Sequence, residues 1–113
     1  MINVRHRFHG RGSLRAVYQQ GQTARAPMLS LKYAYRSNGR PYRLAVVVSR
    51  KVSKSAVKRN HIRRRLYEAV RVSQVKPEPG TDLILTVFDE RLDELTPAKL
   101  QPVIDKLLSQ TSR

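Results

Sequence analysis

The chain has 113 residues, enough for one domain with a modest core. Cysteine is absent, which excludes disulfides and thiolate metal sites. No apolar N-terminal leader and no apolar run of about 18 residues is visible, so a soluble, cytoplasmic protein is expected. The net charge of +15 is one-sided: residues 1–67 hold 17 Lys+Arg and no acid, residues 68–113 hold 6 Lys+Arg and 8 Asp+Glu, and a field of that shape selects a polyanion.

Residues 1–113 read as a single RNA-binding domain, with residues 1–12 as a basic arm. In that arm Arg5, Arg7 and Arg11 would grip phosphate. Residues 13–21, SLRAVYQQG, predict a short helix with Ser13 as N-cap and Gly21 as its stop. Leu14, Val17 and Tyr18 share one face of it. Residues 28–36 alternate as a half-buried strand, with Leu29, Leu31, Tyr33 and Tyr35 on one side. Ser30, Lys32, Ala34 and Arg36 lie on the other. The Asn38-Gly39 pair predicts a hairpin turn into a returning strand at 42–50. There Leu44, Val46 and Val48 make the bulkier, core-facing side. Arg43, Ala45, Val47 and Ser49 make a smaller and more polar side, suited to approach by a ligand.

Residues 55–71, SAVKRNHIRRRLYEAVR, predict a basic helix capped by Ser53 or Ser55. Ile62, Leu66, Ala69 and Val70 give an apolar stripe at i, i+4, i+7 and i+8. Arg63, Tyr67, Asn60, Arg71 and Arg64 fall opposite it as one polar stripe. Arg65 lies at the core boundary and would have to snorkel. Arg59 would land on the apolar side of a regular helix, so it is expected to precede the helix or to reach across a cleft beside it. Arginine offers a charged planar fork to phosphate oxygens, and a tyrosine ring can stack on a base. A membrane-surface helix would instead carry bulky apolar residues on its free face. The break at 76–80, KPEPG, precedes an apolar strand at 82–89. A last helix starts near Thr96-Pro97, with Pro102 expected to kink it or to delay its start. The order α-β-β-α-β-α makes an α+β domain, a small sheet packed with helices.

Catalytic constellations are missing. The acids all lie after position 67, Asp82, Asp89 and Glu90 bracket a strand without a paired motif, and His6, His9 and His61 form no i, i+4 ligand pair. The triplet at 10–12, GRG, is too short for a phosphate loop. A protein-borne nuclease is therefore disfavoured, and no catalytic or metal-binding side chain is expected. A ribosomal or RNA-chaperone binding protein remains the alternative on composition alone.

The segment 48–71 resembles the signature of the bacterial ribonuclease P protein component. Ser49-Arg50-Lys51 ends a strand, Arg59-Asn60-His61 matches the Arg-Asn-Arg motif, and Arg63, Arg64, Glu68, Ala69 and Arg71 follow on the basic helix. Residues 13–27 and 82–90 are also similar to the family. Two positions depart from it: His61 replaces the second motif arginine, and Tyr67 stands where an arginine is usual. The resemblance implies a ribosomal-protein-like α+β domain with a left-handed βαβ crossover. It implies a heterodimer of one protein and one catalytic RNA, which removes the 5′ leader of precursor tRNA in a Mg²⁺-dependent, RNA-catalysed endonucleolytic reaction. Carried over by position, Lys58, Arg59, Asn60, His61, Arg63, Arg64, Tyr67 and Arg71 would bind the catalytic RNA. Leu14, Val17, Tyr18, Lys32, Arg43, Val47, Ser49, Arg50 and Lys51 would line a leader cleft. For Leu14, Val17 and Tyr18, docking of the helix onto the sheet is an equal reading.

Overall fold

The structure, a computed structural model, describes residues 15, 17–19, 21–35 and 41–111. The arm at 1–12, Leu14 and the Asn38-Gly39 turn lie outside the described residues. Residues 15 and 17–19 are helical. They are followed by β1 (Gln22–Arg25), β2 (Leu29–Tyr35), β3 (Arg43–Val47), α1 (Ala56–Val72) and β4 (Thr81–Val87). A 3-10 helix (Glu90–Glu94) and α2 (Pro97–Ser109) complete the chain. The α+β class and the alternation of the strands hold.

The expected hairpin does not form. The sheet order is β1-β2-β4-β3, so β4 inserts between β2 and β3. It pairs antiparallel with β2 (Leu31 opposite Leu85) and parallel with β3 (Val46 opposite Leu85). β3, α1 and β4 thus make a parallel crossover unit. The physical reason lies in β4 itself, TDLILTV. It is buried on both faces, so it gains most in the middle of the sheet, whereas β2 and β3 each have a more exposed side. β1 was not anticipated. Its four residues pair with β2, Ala24 opposite Leu31, and only Ala24 is buried.

One face of the sheet carries the main core. Leu31, Leu44, Val46, Leu83 and Leu85 meet Ile62, Leu66, Ala69 and Val70 of α1 and Leu100, Ile104, Leu107 and Leu108 of α2. The apolar stripe read from the sequence of α1 is the set of residues it buries. The opposite face carries a small cluster, Val17, Ala45 and Ile84, flanked by Ala34 and Val47.

Local chemistry fixes the element ends. Ser55 is the α1 N-cap and accepts from the Lys58 amide at 3.2 Å, while Ser53 Oγ accepts from the Ser55 amide at 3.3 Å. At the other end of α1, Ser73 donates to Asp105 at 2.5 Å and Gln101 donates to the Ala69 carbonyl at 2.8 Å, which ties α1 to α2. α2 starts at Pro97 after Thr96 and continues past Pro102, against the expected delay of its start. Pro102 and Ala98 are both exposed, so solvent can serve the Ala98 carbonyl that lacks its donor. Gly80, at φ 84°, turns the chain into β4 in a conformation that glycine tolerates best. Gly21 answers a different need: its amide donates to the Val17 carbonyl at 2.7 Å. A Cβ there would overlap that oxygen and sit 2.9 Å from the Tyr33 carbonyl.

Candidate nucleic-acid interface

Two basic surfaces stand on opposite sides of the sheet. The first is the sheet face under the N-terminal helical residues. Strand register aligns Thr23, Lys32, Ile84 and Ala45 in one row, with Ala34, Asp82 and Arg43 in the next. Val17 is buried against Ala45 and Ile84, so its role is to dock the helix. Tyr18 stays exposed, and Lys32 Nζ sits 5.8 Å from its ring centroid, within cation–π range. Val47 is half-buried on the same face. Ser49, Arg50 and Lys51 are exposed just beyond the end of β3.

Arg43 is on this face but is not a free cation. Its Nε and Nη2 donate to the two carboxylate oxygens of Asp82 at 2.9 and 2.8 Å. Asp82 is 2% exposed, and its hydrogen bonds hold the Arg43 proton more tightly than usual. A buried carboxylate demands such a partner, and the arginine supplies it. The sheet face on which Arg43 lies was legible; its neutralisation by Asp82 was not. Lys54 had not been singled out, yet it joins Arg50 and Lys51 around an open hollow of about 430 Å³. The signal was present in the sequence, as the third cation of the run RKVSK.

The second surface is α1. Arg64 is exposed and makes no hydrogen bond or ion pair within the described residues. Arg63 donates to Asn60 Oδ1, and both stay near the surface. Arg71 Nε donates to Glu68 at 2.8 Å, and this pairing holds the Glu68 carboxyl below the usual carboxylate range. Lys58 Nζ lies 3.9 Å from Glu90. Tyr67 is half-buried and packs against the core.

Three side chains of α1 turn toward other partners. Arg59 lies within the helix, not ahead of it, and donates back to the Ser53 carbonyl at 2.8 Å. That contact explains how a cation on the apolar side of the wheel is tolerated. His61 Nδ1 meets Asp93 at 2.8 Å, on the flank toward the 3-10 helix. Arg65 donates to the Asp93 carbonyl at 2.9 Å, to Asp93 Oδ1 at 3.3 Å and to the Leu95 carbonyl. It caps the C-terminal end of the 3-10 helix, where unsatisfied carbonyls concentrate negative potential.

Among the described residues, no three His, Asp or Glu converge to hold a metal ion, and no helix is long and apolar enough to cross a membrane. The arrangement can bind a polyanion on two faces.

Comparisons with known proteins agree with this picture. The Ribonuclease P family model matches residues 2–112. The ribonuclease P protein component of Synechococcus sp. strain RCC307 is 34% identical over 123 aligned positions, covering 99% of this chain and 91% of that protein. That of Synechococcus elongatus is 37% identical over 106, covering 90% and 87%. The solved structure of the Staphylococcus aureus RNase P protein superposes with a TM-score of 0.78 at 20% identity, covering 93% of this chain and 94% of that one. Fold, sequence and the basic surfaces converge on one assignment: the chain belongs to the ribonuclease P protein family, and its partner is the ribonuclease P RNA, which provides the catalysis.

Proposed function

We propose that the chain acts in the cytoplasm as a single RNA-binding domain, one copy with one RNA subunit, and that it engages precursor tRNA as well as the catalytic RNA. In this reading α1 docks on the catalytic RNA through Arg63, Arg64, Asn60 and Arg71. The sheet face takes the 5′ leader through Tyr18, Lys32, Val47 and Ser49, with Arg50, Lys51 and Lys54 continuing the path. His61 and Tyr67 are assigned supporting roles, because one is held by Asp93 and the other packs on the core.

The observation that carries the reading is the distribution of unpaired cations. Arg43, Arg65, Arg71 and Arg91 each have an acidic partner. Arg50, Lys51, Lys54 and Arg64 have none among the described residues, and all four are exposed on the two faces named. Repulsion among such groups is relieved by phosphate. Hydrolysis stays with the RNA and its Mg²⁺. The protein holds the two RNAs in a fixed relation, which lowers the entropic cost of bringing leader and catalytic RNA together.

The test is cleavage of precursor tRNA by a bacterial ribonuclease P RNA at low Mg²⁺, with and without the protein. Leader removal should rise when the protein is added and vanish when the RNA is omitted. RNA binding without any gain in cleavage would favour an RNA chaperone instead, and cleavage by the protein alone would overturn the assignment of catalysis to RNA.

A further inference from the structure

An open groove of about 460 Å³ runs between α1 and α2. That is the size of a small-ligand site, roughly 300–1,000 Å³. Its apolar lining comes from Ala69 and Val72 of α1 and Pro97 and Leu100 of α2. Val72 is 48% exposed at the C-terminal end of α1, where a surface helix would more economically place a polar residue. Both helices bury their other faces on the main core, so the groove opens on the side of the molecule away from the Tyr18–Lys32 face.

The rim gives the groove a sign. Arg64, the unpaired arginine of the α1 stripe, is also a wall of the groove. His61 is a second wall. Its Nδ1 is engaged by Asp93, which leaves Nε2 as the ring atom able to meet a ligand. Glu68 lines the groove too, but Arg71 neutralises it. An apolar slot with a free guanidinium at its mouth fits a flat, apolar-faced group joined to a phosphate. That is the chemistry of an unpaired nucleotide, whose base seeks an apolar or aromatic surface once it leaves the stack.

We infer that the α1–α2 groove receives an unpaired base of the catalytic RNA, with Arg64 on the adjoining phosphate. The inference rests on the proposed docking of α1 on that RNA. The leader is a poor occupant, because its proposed path lies across the sheet. A protein partner fits less well: a chain of net charge +15 presents a rim that repels another copy of itself.

The chain has no cysteine, so Val72→Cys creates a single attachment point for a photoactivatable crosslinker. Lys106→Cys, on the exposed surface of α2, serves as the control. In the reconstituted holoenzyme, position 72 should crosslink to one unpaired nucleotide of the catalytic RNA and position 106 should not. In a second variant, Val72→Trp, the filled groove should leave that base open to base-modifying reagents while backbone protection along α1 persists. Crosslinks from position 72 to a second protein copy or to precursor tRNA would overturn the inference. So would an RNA-free result from a holoenzyme that still cleaves. If no holoenzyme forms, the proposed function falls together with the groove; an active holoenzyme without the crosslink removes the groove alone.

Discussion

Replacing Arg65 separates the two jobs hidden in the run Arg63-Arg64-Arg65. The Arg65 side chain is 16% exposed and donates to carbonyls of Asp93 and Leu95 while pairing with the Asp93 carboxylate, itself 16% exposed. Hydrogen bonds to a charged group contribute about 1.5–3 kcal/mol each. They are not additive here, because Asp93 keeps His61 as a partner after the arginine is gone. Arg65→Ala is therefore expected to cost about 3 kcal/mol, near the low end for breaking a buried ion pair. For a domain of this length that corresponds to a melting temperature lower by roughly 10 °C. Arg64→Ala should leave stability within about 0.5 kcal/mol. It should instead weaken binding of the catalytic RNA and reduce the log–log salt slope by about 0.7–0.9. Urea unfolding followed by circular dichroism in phosphate-free buffer gives the first quantity, and filter binding across a salt series gives the second. Arg65→Ala with unchanged stability and an RNA deficit equal to that of Arg64→Ala would refute the division.

Gly21→Ala should destabilise the fold by about 2 kcal/mol in urea unfolding, because the added methyl meets two backbone carbonyls that cannot swing aside. The acid limb of stability should depend on Asp105, whose carboxyl is held below its ordinary value of 3.8 first by Ser73 and then by Gln101. A depressed native pKa contributes stability that is complete above the unfolded value and is lost as pH falls through the native one. The stability gap between wild type and Ser73→Ala should thus be constant above about pH 5 and narrow below it.

The helices were the most legible part of the fold. A period of 3.6 residues is a local signal, so Ile62, Leu66, Ala69 and Val70 could be assigned to the core without knowing what they touch. The strand faces were legible for the same reason: alternation placed Lys32, Arg43 and Val47 on one face, where register puts them. Pairing was not legible. The Asn38-Gly39 signal favours a turn, yet the choice of neighbour is made by β4, some forty residues later. The same non-locality hid the ion pairs. Arg43 with Asp82 and Arg65 with Asp93 join residues 39 and 28 positions apart, so a count of charges could not say which arginines were already spoken for.

The thin cluster on the sheet's second face has a mechanical consequence. Among the described residues, Val17 is the only buried side chain that fastens the helical segment before β1 to the sheet, through Ala45 and Ile84. Burying one such side chain is worth about 2 kcal/mol, a fraction of the stability of a whole domain. The described contact on this face is light beside the main core, so a perturbation of the sheet's second face should register first at Val17, Ala45 and Ile84. In the proposed function a strand crossing this face would lie between one ring and one ammonium, Tyr18 and Lys32, and a grip made of stacking and charge would hold it with little regard to its sequence.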